Sequence, residues 1–386
     1  MRTANKSMSE SCRPNDAIEA LLAERISAGD FPGAAYLVSV DGESLFCGAL
    51  GEAMRDGDGG IPCRPDTIFD VASLTKPMVT GLLLAIGFKE KLLDPNSRVS
   101  AFFPERSIDE SHDVTIGQLA THTSGFAAWI PFYLEIDGTL PKNEKLERAV
   151  DIILTKEPAC PAGSQVIYSD LNFILLGIIL ERIFGDALDS LANQRIFSPL
   201  GLKRTFFNPP TRFLDDIAAC EFGNGHERKT CEEMGYETAG FNWRDYLIRG
   251  EVHDGNCFFF EGASGHAGLF STVEDLNVIA RQFLPECSLL LDRETIDLMT
   301  RNMTPTLKEH RSLGFQIAST PDSTAGSVLD PTSFGHLGFT GTSIWMDPTR
   351  RMAAILLTNR THGHELPFVN IKETRRRFNE LAAQTI

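Results

Sequence analysis

Apolar positions along the chain switch between a helical spacing and a strand-like one, and the order of the switches predicts the architecture. Ile18, Leu21, Leu22 and Ile26 form a stripe at helical spacing, so residues 16–27 are predicted as a helix capped by Asn15 and ended by Gly29 and Pro32-Gly33. Residues 34–40 and 44–50 are two apolar runs joined by Asp41-Gly42-Glu43, the pattern of a hairpin. From Met78 to Phe88 the chain is apolar nearly all the way round, which predicts a helix buried inside the protein. Pro77 is tolerated only in a first helical turn, so this helix should begin close to Ser73.

Helical patterns then dominate, from Thr115 to Ala120, Lys145 to Leu154 and Leu171 to Ile183. Residues 205–265 are polar, Gly-rich and poorly periodic, which points to an extended loop region over a site or to an insertion. Regularity returns with helices at 276–283 and 292–302, strands at 313–319, 342–346 and 352–358, and a last helix at 371–383. Strands near both ends with helices between them imply an α/β (α+β) fold, in which N- and C-terminal segments build one antiparallel sheet flanked by helices. The expected division is 15–95 with 276–386 as the sheet domain, 96–275 as an inserted mostly helical domain, and 1–14 as a polar tail.

Charge and composition narrow the function classes. The 386 residues carry 36 Lys and Arg against 52 Asp and Glu, a formal charge of -16, which opposes nonspecific attraction to nucleic acid or anionic lipid. Neither nucleic acid nor membrane is an expected partner, and no apolar run is long enough to span a bilayer. The first fifteen residues lack the apolar core of a signal peptide, so a cytoplasmic location is expected, with a trimmed exported form left open. The eight cysteines, at 12, 47, 63, 160, 220, 231, 257 and 287, are then expected to be reduced. Cys220, His226, Cys231, His253 and His266 fall in one loop-rich stretch, but their spacing matches no zinc pattern, and neither a metal nor another cofactor is expected.

The candidate chemistry starts at Ser73-Leu74-Thr75-Lys76. Residues three apart share a helix face, so the Lys76 side chain can reach the Ser73 oxygen, a nucleophile beside its activator at the positive end of a helix. Two further stretches strengthen the reading: Tyr168-Ser169-Asp170 before an apolar helix, and His336-Leu337-Gly338 before a strand. Phe126, Trp129 and Tyr133 form an aromatic stretch that fits a pocket wall or simple core.

With these three motifs in order, the chain resembles the serine β-lactamase and penicillin-binding-protein superfamily, in the branch of class C β-lactamases, D-alanyl-D-alanine carboxypeptidases and related carboxylesterases. Leu119-Ala-Thr-His-Thr-Ser-Gly125, Pro199-Leu-Gly-Leu202 and Gly265-His-Ala-Gly-Leu-Phe-Ser-Thr272 are also similar to family stretches. The resemblance implies that Ser73 forms an acyl-enzyme, with Lys76 or Tyr168 as base. It also implies an oxyanion held by the backbone N–H groups of Ser73 and Phe339, and Asp170, His336 and Gly338 as supporting residues. Asp170 stands where class C β-lactamases carry Asn, and His336 where they carry Lys, so a permanent positive charge for a substrate carboxylate is missing from that motif. The expected function is a serine hydrolase cleaving a small ester or amide, with esterase activity favoured. The alternatives are a D-amino-acid peptidase, a weak β-lactamase, or a non-catalytic binding protein that keeps the fold; the oligomeric state stays open.

Overall fold

The computed structural model describes residues 12–55 and 59–386, so most of the predicted polar tail, residues 1–11, lies outside the described residues. Among them, the larger sheet has seven strands in the order β3-β2-β1-β10-β9-β8-β7. These are β1 (Gly33–Val40), β2 (Glu43–Met54), β3 (Ile61–Pro62), β7 (Gln316–Ile317), β8 (Phe334–Leu337), β9 (Ser343–Asp347) and β10 (Met352–Thr358). Every pairing is antiparallel. The two ends of the chain meet at its centre, where Ala34 of β1 faces Thr358 of β10 and Val40 faces Met352. The antiparallel sheet flanked by helices is the architecture that the terminal apolar runs predict.

Both faces of the central strands are buried, which explains why β1 and β10 read as continuous apolar runs instead of alternating ones. Ala35, Leu37, Ile355 and Leu357 face the larger core around helix Leu82–Lys89, while Tyr36, Val38, Ala354 and Leu356 face helices Asp16–Ser27 and Lys372–Gln384. The period-two alternation of strand side chains thus feeds two cores at once. Asp41 and Gly42 both take positive φ, 55° and 77°, the turn that a two-strand hairpin with native twist requires.

A second, three-stranded sheet joins β4 (Phe69–Asp70), β6 (Leu269–Ser271) and β5 (Phe206–Phe207) in the order β4-β6-β5. Its strands are two or three residues long, too short to leave a periodic signal. It sets the residues just before Ser73 against those just after His266.

The structure corrects several expectations. The helix after Ser73 opens as a short 3₁₀ turn, Ala72–Leu74, followed by a π-helical stretch, Lys76–Gly81, before the α-helix Leu82–Lys89 begins. Pro77 has no N–H to place in a regular α ladder, and Thr80 instead gives its hydroxyl hydrogen to Gly265 O at 2.7 Å. The strand expected at 313–319 shrinks to β7, because Gly314, with φ of 98°, bends the chain there. His336-Leu337-Gly338 does precede the expected strand, β9, and the structure adds a short strand, β8, that contains His336 and Leu337. Cys12 and Cys47 form a disulfide with Cα atoms 5.7 Å apart, so the expectation of reduced thiols fails for that pair, brought together by pairing of Arg13 with β2. Residues 205–265 are not one loop: they contain helices Gly225–Glu233 and Gly255–Phe259. Among the described residues no helix is long and apolar enough to cross a membrane.

Candidate active site

Ser73 sits in the 3₁₀ turn at a point of backbone tension, since the preceding Ala72 takes a φ of 49° that alanine rarely adopts. Polar groups clamp this turn from several sides. Asp70 Oδ1 accepts from Ala72 N at 2.9 Å and its Oδ2 from His253 N at 2.8 Å. The hydroxyls of Thr340 and Thr342 donate to the carbonyls of Asp70 and Val71 at 2.8 and 2.9 Å, which fastens the loop after β8 to the residues before Ser73.

Lys76 is fully buried, and its Nζ lies 2.8 Å from Ser73 Oγ, 3.0 Å from His266 O and 2.7 Å from Asp170 Oδ1. The Tyr168 ring centre lies 5.1 Å from the same nitrogen. Burial pulls the Lys76 ammonium down, but Asp170 and Tyr168 outweigh it and the net direction is up. A neutral amine produced by desolvation, one of the two activation routes expected from sequence, is therefore not the resting state. Asp170, Asp254 and His266 bring their donor atoms within 4.8 Å of one another, a grouping able to hold a cation. The Lys76 ammonium already serves them: it touches Asp170 and the His266 carbonyl and helps keep the Asp254 carboxyl ionised. Of the five Cys and His residues weighed for a metal, three are engaged separately, His253 with Glu221 Oε2 and His266 with Asp254 Oδ1, both at 2.9 Å, and Cys231 with the Tyr133 hydroxyl.

Tyr168 and Asp170 are held by the stretch 121–128. His122, with φ of 58°, accepts from Ser169 N at 3.0 Å and lies 4.6 Å ring to ring from Tyr168, while Asp170 N donates to Ala128 O at 2.9 Å. His336 is buried and donates from Nδ1 to Leu337 O at 2.8 Å, leaving Nε2 without a partner. Burial, with Arg311 and Lys76 nearby, drives its pKa well below the usual imidazole value, so the ring is neutral. Gly338 has no room for a side chain: a Cβ would fall 1.9 Å from Thr342 Oγ1. Its carbonyl accepts from Arg375 Nη2 at 2.6 Å, so the Phe339 N–H of the same planar peptide points the opposite way.

The chain belongs to the beta-lactamase family. The family's sequence pattern, described as Beta-lactamase, matches residues 17–375. A protein of Escherichia coli (strain K12), named provisionally as a D-alanyl-D-alanine carboxypeptidase, is 30% identical over 366 residues, covering 89% of this chain and 81% of its own length. An N-acetylmuramyl-L-alanine amidase of Bacillus subtilis (strain 168) is 30% identical over 365 residues, covering 88% of this chain and 79% of its own. The solved structure of EstCE1, a hydrolase with promiscuous acyltransferase activity, shares the fold with a TM-score of 0.71 at 19% identity, covering 95% of this chain and 97% of its own. This beta-lactamase-family chain is therefore a serine hydrolase by kinship.

Two lobes open from Ser73, Tyr168 and Phe339, which line both. One, of about 490 Å³, is walled by Ala127, Trp129, Met234 and Ala267 together with the acids Asp170, Glu227 and Asp254. The other, of about 350 Å³, is walled by Arg311, His336, Arg360 and Arg375. Of the aromatic stretch, Trp129 lines the first lobe and Tyr133 a smaller side hollow of about 230 Å³. Phe126 reaches neither: it is 2% exposed and stacks on His112 in the core, turned inward by the bend after Gly125. The reading from sequence missed the three arginines and Glu227. Arg375 had a visible signal, because it shares a helical stripe with Phe378, Asn379 and Ala382 and so carries a charge on a buried face.

Proposed function

We propose that this family member hydrolyses a small ester or amide through an acyl-Ser73 intermediate. The observation that carries the reading is Lys76 Nζ at 2.8 Å from Ser73 Oγ, at the junction of two substrate-sized lobes. Lys76 enters as an ammonium that donates to Ser73 Oγ and favours the alkoxide, and Tyr168 beside it, entering as the phenolate, takes the serine proton. Ser73 Oγ bonds the carbonyl carbon, the leaving oxygen or nitrogen departs with the proton that Tyr168 accepted, and water then breaks the acyl bond with Tyr168 as base. The Phe339 and Ser73 N–H groups are the oxyanion donors in this scheme, and Arg375 fixes the peptide plane of the first.

Ester hydrolysis is favoured by the apolar walls of the larger lobe and by the fold shared with EstCE1. A second reading, a peptidase acting next to a free carboxylate, is favoured by Arg311, Arg360 and Arg375 in the other lobe and by the Escherichia coli relative named for carboxypeptidase activity. These guanidiniums supply the positive charge that neutral His336 lacks. The test is labelling with a fluorophosphonate followed by mass spectrometry, alongside turnover of a short p-nitrophenyl ester. An adduct on Ser73, absent from Ser73→Ala, is expected; turnover that survives Ser73→Ala overturns the reading.

A further inference from the structure

Glu227 stands on helix Gly225–Glu233 between the larger lobe and the aromatic side hollow, and it lines both. The residue is only 9% exposed. Its Oε1 accepts from Gly255 N at 2.7 Å, while Oε2 is buried without a hydrogen-bond partner, the neighbouring Tyr133 hydroxyl being paired with Cys231 Sγ at 3.5 Å. The other acids of the lobe are matched: Asp170 lies 2.7 Å from Lys76 and Asp254 2.9 Å from His266. The nearby cations are also occupied. Arg244 donates to Asn224 Oδ1, to the carbonyls of Val252 and His253 and to Glu251, and Lys145 lies over the Phe259 ring at 4.6 Å. Among the described residues, Glu227 is thus the acid of this lobe with no Lys, Arg or His partner within 4 Å.

A buried carboxylate oxygen without a donor is costly, and a ligand that brings a donor relieves that cost. We propose that Glu227 binds a protonated amine on the acyl part of the substrate, so that the preferred substrates are aminoacyl esters or amides. The inference rests on the reading of Ser73 as the acylated nucleophile. An ammonium offers three donors and a full charge, which Oε2 receives as a charge-assisted hydrogen bond in a site shielded from water. The Tyr133 ring beside Glu227 adds a face that attracts cations, and Trp129 and Met234 contact the alkyl portion. Burial and the Asp254 charge push the empty Glu227 carboxyl up to about 7, against the pull of His253 and Arg244, so an arriving cation holds it ionised.

The experiment compares benzyl esters of D- and L-alanine with benzyl propionate and benzyl lactate, which replace the amine by hydrogen and by hydroxyl. At least one alanine ester should exceed both in kcat/KM by about tenfold or more, the usual scale of a buried charge-assisted contact. Glu227→Gln should reduce that ratio by about the same factor. A wild-type ratio near one, a lactate ester as good as the alanine esters, or a ratio retained by Glu227→Gln overturns the proposal. A measurement that needs no variant is inhibition by butylamine and by butanol: the amine should inhibit at about tenfold lower concentration, and equal inhibition overturns the proposal too. Absence of both ester turnover and Ser73 labelling would instead defeat the acyl-Ser73 reading itself.

Discussion

The two lobes that meet at Ser73 are built from opposite charges held in different ways. In the smaller lobe Arg360 and Arg375 rest on backbone carbonyls, those of Phe339 and Val369 for the first and of Gly338 and Thr342 for the second. Neither reaches a carboxylate among the described residues, and Arg311 has only Glu309, at 2.5 Å. Burial, with Arg360 alongside, draws Arg375 down to about 9, which still leaves it charged at neutral pH. In the larger lobe the unmatched group is a carboxyl pushed up to about 7. The cationic side is therefore a permanent charge, whereas the acidic side titrates near neutrality. In a chain with a net charge of -16, two guanidiniums without a carboxylate partner among the described residues line one lobe of the site. A substrate that fits both sides carries an amine toward Glu227 and an anion toward the arginines.

The largest expected effect removes what the lobes share. Ser73→Ala should lower turnover of every substrate class by ~10³-fold or more, measured as kcat. If it silences amine-bearing esters but spares others, the lobes do not serve a common centre. Tyr168→Phe should cost ~10²-fold or more in kcat with little change in KM, as expected for a proton-transfer group. The next effect separates the lobes. Arg311→Gln should lower kcat/KM for N-acetyl-D-alanyl-D-alanine relative to its carboxamide by about 10- to 100-fold, the loss of one charged hydrogen bond. Glu227→Gln should leave that carboxylate ratio where it was, because it acts on the opposite side of Ser73. A shared response of the two ratios would erase the distinction between the lobes.

The parts legible in the sequence are those where one local rule decides the outcome. The apolar run after Pro77 locates the buried helical stretch, though not its 3₁₀ and π-helical opening, and the three-residue spacing brings Lys76 to Ser73. The runs at both chain ends predict β1, β2, β9 and β10, because each is long enough to show its apolar content. The family motifs placed Tyr168, Asp170 and His336 around the same centre. What escaped depends on long-range packing. β4, β5 and β6 have two or three residues each, and Glu227 lies in a stretch whose mean polarity hides the short helix Gly225–Glu233. Phe126 and Trp129 look alike in sequence, yet one packs into the core and the other lines the lobe. The protonation of Lys76 was also out of reach, since it depends on how closely Asp170 approaches.

The smallest expected effect tests the acidic lobe without any substrate. The folded pKa of Glu227 is raised to about 7 from an ordinary value near 4.5. For a carboxyl raised on folding, the native state holds its proton after the unfolded chain has lost it. Its contribution to stability is thus fully present below about pH 4.5 and is lost as pH rises toward 7. Wild-type protein should lose on the order of 3 kcal/mol over this window from Glu227 alone, about 1.4 kcal/mol for each pKa unit between 4.5 and about 7. Gln cannot ionise, so Glu227→Gln should match wild type near pH 4.5 and exceed it at pH 8 in urea unfolding. Adding butylamine at pH 8 should close that gap by stabilising the wild type and not the variant, because a ligand that binds only the folded, ionised site shifts the equilibrium by mass action. Equal stability of the two proteins at pH 8 would mean that Glu227 has found a partner after all. The acidic lobe would then hold no unmatched group, and only the cationic lobe would stand ready for a ligand.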